Sequence, residues 1–117
     1  MPLRVTNVTR GRTLALRAVR AERFWTRFLG LMGRPGLPDG EGLHIVPCNG
    51  IHSFFMRFPF DAVFLDRELR VVRCVEAIPP WRATPVYRAA HSVLELPAGT
   101  VTASGTREGD VLAFARG

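Results

Sequence analysis

From Leu43 to Ala115 the chain is a series of short apolar runs, each closed within a few residues by Gly, Pro or Asp. This punctuation narrows the fold more than any other feature. Runs rich in β-branched and aromatic residues, separated by turn formers, read as strands. Strands are predicted over 43–46, 51–56, 61–65, 69–78, 92–96 and 111–115. Asp66-Arg67-Glu68 and Pro97-Ala98-Gly99 supply turns, and Pro79-Pro80-Trp81 ends the longest run. Upstream, 3–8 and 13–19 alternate in character around Thr9-Arg10-Gly11-Arg12, the pattern of a β-hairpin.

One segment has a different period. Over residues 20–32, Ala21, Phe24, Trp25, Phe28, Leu31 and their neighbours share about 160° of arc at helical spacing. Gly33-Arg34-Pro35-Gly36 is a stop signal. The expected architecture is α+β and mainly β: a small barrel, or two packed antiparallel-rich sheets, with one amphipathic helix over about 20–32 packed across. The 117 residues suit one domain, 1–117, and no repeat, linker or low-complexity stretch divides them. A chain of this length buries enough surface to fold without a metal or disulfide.

The net charge of +6 comes entirely from arginine, since the sequence contains no lysine. Residues 1–34 hold eight arginines and one acidic residue, Glu22, so the excess sits at one end of the chain. Arg20, Arg23 and Arg27 form a stripe about 60° wide on the polar side of the expected helix. A solvated helix face is the simpler reading; an anion or nucleic-acid surface is the functional one. No nucleic-acid motif accompanies the stripe, so nucleic acid is not the expected partner. No apolar run approaches the roughly 18 residues needed to cross a bilayer. No apolar signal core is present in residues 1–6, so the expectation is a cytoplasmic protein with Cys48 and Cys74 as thiols rather than a bridge.

Cys48, His52 and Met56 are all metal-ligand types, and their spacing of four would bring them together on a helix. On a strand, residues four apart stand about 13 Å from each other. The Phe-rich surroundings favour a strand, so no metal site and no cofactor are expected. Met56 then reads as core and His52 as a buried or cleft-lining polar group. Asp61 follows the sharp Phe58-Pro59-Phe60 corner, where a carboxylate can take backbone N–H groups freed by a turn or serve as a general acid or base. Glu95 lies between Leu94 and Leu96 and faces away from them. If they point to the core it meets solvent or a cleft; if it points inward it needs a partner. No Walker loop, dinucleotide fingerprint, nucleophile elbow or Cys-x-x-Cys pair is present.

Four groups of residues resemble a known family. They are Phe28-Leu29-Gly30-Leu31-Met32-Gly33-Arg34, the run from Ile51-His52-Ser53-Phe54-Phe55-Met56 to Asp66, Leu94-Glu95-Leu96-Pro97-Ala98-Gly99, and Gly109-Asp110. Together they resemble the bacterial and archaeal domain of unknown function 192, over roughly residues 12–115. The resemblance implies a compact β-rich α+β fold and no established activity, cofactor or catalytic set.

The function expected from these readings is a binding or interaction module. Its cleft would be lined by His52, Met56, Asp61, Trp81 and Glu95 and would receive a small molecule or a peptide. The alternative is a hydrolase using His52 and Asp61 as acid and base, with or without a metal. A third reading is anion or nucleic-acid binding along Arg20, Arg23 and Arg27. The sequence leaves the oligomeric state open.

Overall fold

The computed structural model describes residues 2–22 and 34–116. The N-terminal alternation forms a hairpin of β1 (Leu3–Asn7) and β2 (Arg12–Ala21), paired antiparallel. Gly11, at φ +67°, closes its turn by donating its N–H to Asn7 O at 2.8 Å. The later runs form β3 (Glu41–Ile45), β4 (Phe60–Leu65), β5 (Val71–Ile78), β6 (Ser92–Pro97) and β7 (Leu112–Arg116), with the short helix α1 (Thr100–Ser104) between the last two.

These strands make one sheet in the order β5-β4-β6-β3-β2-β1-β7, so the two-sheet alternative does not hold. The sheet curls until its two edges touch. Arg70, just before β5, bridges Val111, just before β7. Val71 N–H donates to Asp110 O at 2.7 Å, and Leu112 N–H to Leu69 O at 2.9 Å. Beyond this contact the edges diverge, which leaves a half-barrel. β2 and β3 are the one parallel pair; the other neighbours run antiparallel.

Each face of the sheet has its own apolar cluster. Val5, Leu14, Val63, Leu65, Leu94 and Leu96 fill the concave side, and Val101 of α1 plugs one end of it. Leu43, Ile45, Met56, Phe60, Phe64 and Val93 form the second cluster on the other side. The central strands β4 and β6 are therefore buried on both faces, which explains their nearly unbroken apolar sequence.

Two expectations need correction. Arg20 and Ala21 belong to β2, not to a helix. Residues 23–33 lie outside the described residues, so the rest of the expected 20–32 helix, with Arg23 and Arg27, is not placed. The stretch 51–56 is not a strand. It pairs only at His52, opposite Ala83, and then turns at Phe54-Phe55.

Asp61 holds the far corner of the barrel together. It is fully buried. Its Oδ1 accepts from Ala77 N–H at 2.8 Å, and its Oδ2 from Gly99 N–H at 3.1 Å and Val101 N–H at 2.9 Å. One carboxylate thus ties β4 to the irregular end of β5, where Ala77 has φ +49°, and to the start of α1. Asp61→Ala would leave three amide donors without their acceptor, each costing about 1–3 kcal/mol if it stays buried. The expected loss in urea unfolding is about 3 kcal/mol or more, with Asp61→Asn intermediate. A loss below about 1 kcal/mol for Asp61→Ala would contradict this role.

Candidate functional site

Two loops cross the second face of the sheet in opposite directions: 46–59, from the end of β3 to the start of β4, and 79–91, from the end of β5 to the start of β6. They run antiparallel and bond to each other. Thr84 N–H donates to Ile51 O and Tyr87 N–H to Asn49 O, both at 2.8 Å. Ser53 is the hub. Its side chain is fully buried, donates to Pro79 O at 2.6 Å and accepts from Arg82 N–H at 2.8 Å. Its N–H donates to Arg82 O at 2.7 Å, and its carbonyl accepts from Trp81 N–H at 2.9 Å. Pro79 and Pro80 cannot donate from their nitrogens, so this turn depends on Ser53 for its cross-links.

The clamp sets four rings side by side on the surface. Trp81 stacks on Phe54 with centroids 5.8 Å apart and meets Phe55 edge-on at 4.8 Å. His52 lies 4.9 Å from Phe54, and its Nδ1 accepts from Phe54 N–H at 3.2 Å. A neutral His52 ring with Nδ1 so engaged carries its proton on Nε2. Phe55 is 60% exposed and Trp81 56%, a large apolar area to leave in water. Both residues have φ +64°. For bulky side chains this is a true outlier, costing about 1–3 kcal/mol each. Exposed Arg57 and Arg82 flank the rings in sequence, and Arg82 Nη1 donates to Trp81 O at 3.4 Å.

The residues expected to share one cleft divide among three environments. His52 and Trp81 share the platform, and His52 is exposed rather than buried. Met56 is buried in the second apolar cluster, against which half-buried Cys48 also packs. Asp61 is sealed beneath α1 with both oxygens engaged. Arg20 is exposed on β2 and pairs with Glu22 at 3.3 Å. Among the described residues, no three or more His, Cys, Asp and Glu side chains gather in a way that could hold a metal ion. Phe54, Phe55 and Ser53 are the members of the site that sequence reasoning missed. The only signal for them lay in the dense aromatic run itself.

Glu95 faces away from the concave core, yet it is only 4% exposed, because that face is also covered. Across the sheet it stands between Leu43 and Ala62. Burial pushes its carboxyl up to about 8 from an ordinary 4.5. Between these values the folded chain keeps a proton that the unfolded chain has released. This contribution to stability is whole below about 4.5, declines as the pH rises toward about 8 and is level above that. Glu95→Gln should melt close to the parent in mild acid and higher than it above the shifted value, by on the order of 5 °C. Equal melting midpoints for the two proteins across that range would contradict the assignment.

Comparison with known proteins bears on this geometry. The family model described as uncharacterised ACR, domain of unknown function 192, matches residues 5–114. A UPF0127 protein of Pyrococcus furiosus is 32% identical over 115 residues, covering 94% of this chain and 97% of that protein. A UPF0127 protein of Thermococcus sibiricus is 32% identical over 109 residues, covering 89% of this chain and 70% of that protein. A crystal structure of a protein of unknown function from Novosphingobium aromaticivorans superposes with a TM-score of 0.82 at 25% identity, covering 97% of this chain and 84% of that one. With matched sequence from β1 to β7 and a shared curled sheet, the chain belongs to the uncharacterised family of domain of unknown function 192.

Proposed function

We propose that this protein is an interaction module whose aromatic platform docks a peptide segment of a partner. The observation that carries the reading is Phe55 and Trp81 together: two large exposed rings, edge-on at 4.8 Å, each on a left-handed backbone. Such strain persists only where surrounding bonds enforce it. Here the Ser53 clamp enforces it and leaves the rings facing water. A surface held in its binding shape loses less entropy on association. Trp and Arg are the residue types that most often dominate interface energetics.

The rings favour a peptide over a small molecule. They stand on the surface, whereas three clefts among the described residues are lined by other side chains. Arg57 and Arg82 suit a segment with acidic groups beside an aromatic or proline side chain. The hydrolase reading finds no support in Asp61, which is buried and held by three backbone amides. Arg20 lies on a strand, so the helical arginine stripe loses its first member. We place the protein in the cytoplasm, where Cys48 and Cys74 would remain thiols. Burial, the largest cause, and then nearby carboxylates push the Cys74 thiol up to about 12, which makes it a poor nucleophile. No helix among the described residues is long and apolar enough to cross a membrane.

Selection from a displayed peptide library, with Trp81→Ala and Phe55→Ala proteins as counter-targets, tests the reading. Enriched peptides should carry an aromatic or proline beside acidic residues and bind each variant at least about tenfold more weakly, a loss of about 1.4 kcal/mol. The variants should melt within a few degrees of the parent, since both side chains are exposed. No enrichment, or equal binding to both variants, would overturn it.

A further inference from the structure

Among the described residues, no element covers the end of the half-barrel remote from α1. α1 follows the C-terminal end of β6, and the opening lies at that strand's N-terminal end, around Ser92. A cavity of about 310 Å³ is found there. Its floor is a buried polar pair: His44 is 6% exposed and Ser92 2%. His44 Nε2 and Ser92 Oγ lie 2.9 Å apart. Phe114 of β7 stacks on His44 of β3 with centroids 4.4 Å apart, and two strands separate β3 from β7 in the sheet, so this contact spans the mouth. Leu3 and Leu69 add apolar wall.

Arg20, Arg67 and His91, all less buried than the floor, complete the lining. Two acidic residues are nearby, and both are engaged. Asp66 lines the cavity, but its Oδ1 accepts from Glu68 N–H and Arg70 N–H, each at 2.9 Å. Glu22 pairs with Arg20 on the exposed side. Arg67 forms no ion pair among the described residues.

A serine bonded to a histidine suggests a nucleophile and its base. The surroundings argue against that here. A general base must become imidazolium, and burial, followed by the charges of Arg20 and His91, pushes His44 down to about 4. Arg20, whose charge opposes a proton on His44, favours an anion at the opening, as does Arg67. The neutral His44–Ser92 pair satisfies itself and needs nothing from a ligand.

We propose that the barrel mouth binds a small amphiphilic anion, with an apolar body against Leu3, Leu69 and Phe114 and an oxyanion headgroup, carboxylate or phosphate, between Arg20, Arg67 and His91. Mouths of β-barrels are common ligand sites, and this volume lies at the small end of their range. The site is separate from the aromatic platform, so either can fail without the other.

Calorimetric titration with hexanoate, hexyl phosphate, hexanol and inorganic phosphate tests the proposal. At least one of the two hexyl anions should bind about tenfold or more tightly than hexanol and than inorganic phosphate, and the tighter of the two identifies the headgroup. Arg67→Gln, an exposed change that should leave the fold intact, should cut the affinity for that anion about fivefold or more and leave hexanol unchanged. Arg20→Gln should act in the same direction. Hexanol binding as tightly as the anions would overturn the proposal, as would inorganic phosphate matching hexyl phosphate. So would anion affinity indifferent to both arginine changes, or no binding by any of the four.

Discussion

The rest of the surface architecture depends on one buried hydroxyl. Ser53 Oγ donates to Pro79 O and accepts from Arg82 N–H, so a single side chain closes both ends of a turn that carries two consecutive prolines. A buried hydroxyl with both roles satisfied costs little, whereas an apolar side chain there would leave a carbonyl and an amide unpaired. From that clamp follow the left-handed backbone of Trp81, its edge-on contact with Phe55 and the exposure of both. The rings are the visible feature, but Ser53 is the constraint that makes them a defined surface rather than two mobile side chains on two loops.

Two buried carboxylates of the same sheet meet different surroundings. Asp61 meets three backbone N–H groups and serves as a cross-link between β4, the end of β5 and α1. Glu95, on β6, lies between Leu43 and Ala62 on an apolar face, and burial favours its neutral form. The sheet can hold both because it is covered on its two sides. That double coverage also explains why β4 and β6 read as continuous apolar runs, while the alternation that marks a half-exposed strand survives only toward the edges.

The strands were readable because their signal is local: β-branched and aromatic runs between turn formers appear where expected for β1 to β7. The stretch from Ile51 to Met56 failed for a physical reason. Its aromatic composition matches a strand, but its partner, residues 82–87, is another loop, and the turn at Phe55 needs a φ that composition does not reveal. Helix α1 is only five residues long, too short for periodicity, and follows Pro97-Ala98-Gly99, which reads as a turn. The platform needed Trp81, which was named from sequence, together with Phe54 and Phe55, which were not, because the link through Ser53 joins residues 26 to 29 positions apart. The barrel mouth was harder still. His44, Ser92 and Phe114 come from three strands, and only the curl of the sheet brings them together.

The central claim is that the two loops are held as firmly as the sheet that bears them, so that the aromatic surface exists before any partner arrives. Amide hydrogen exchange measures this residue by residue. The N–H groups of Ser53, Trp81, Arg82, Thr84 and Tyr87 all donate across the loop pair and should exchange about as slowly as those at the ends of β4 and β6. Exchange of these five at the rate of an open loop, with the strands still protected, would show that the clamp does not hold and that the platform is not preformed.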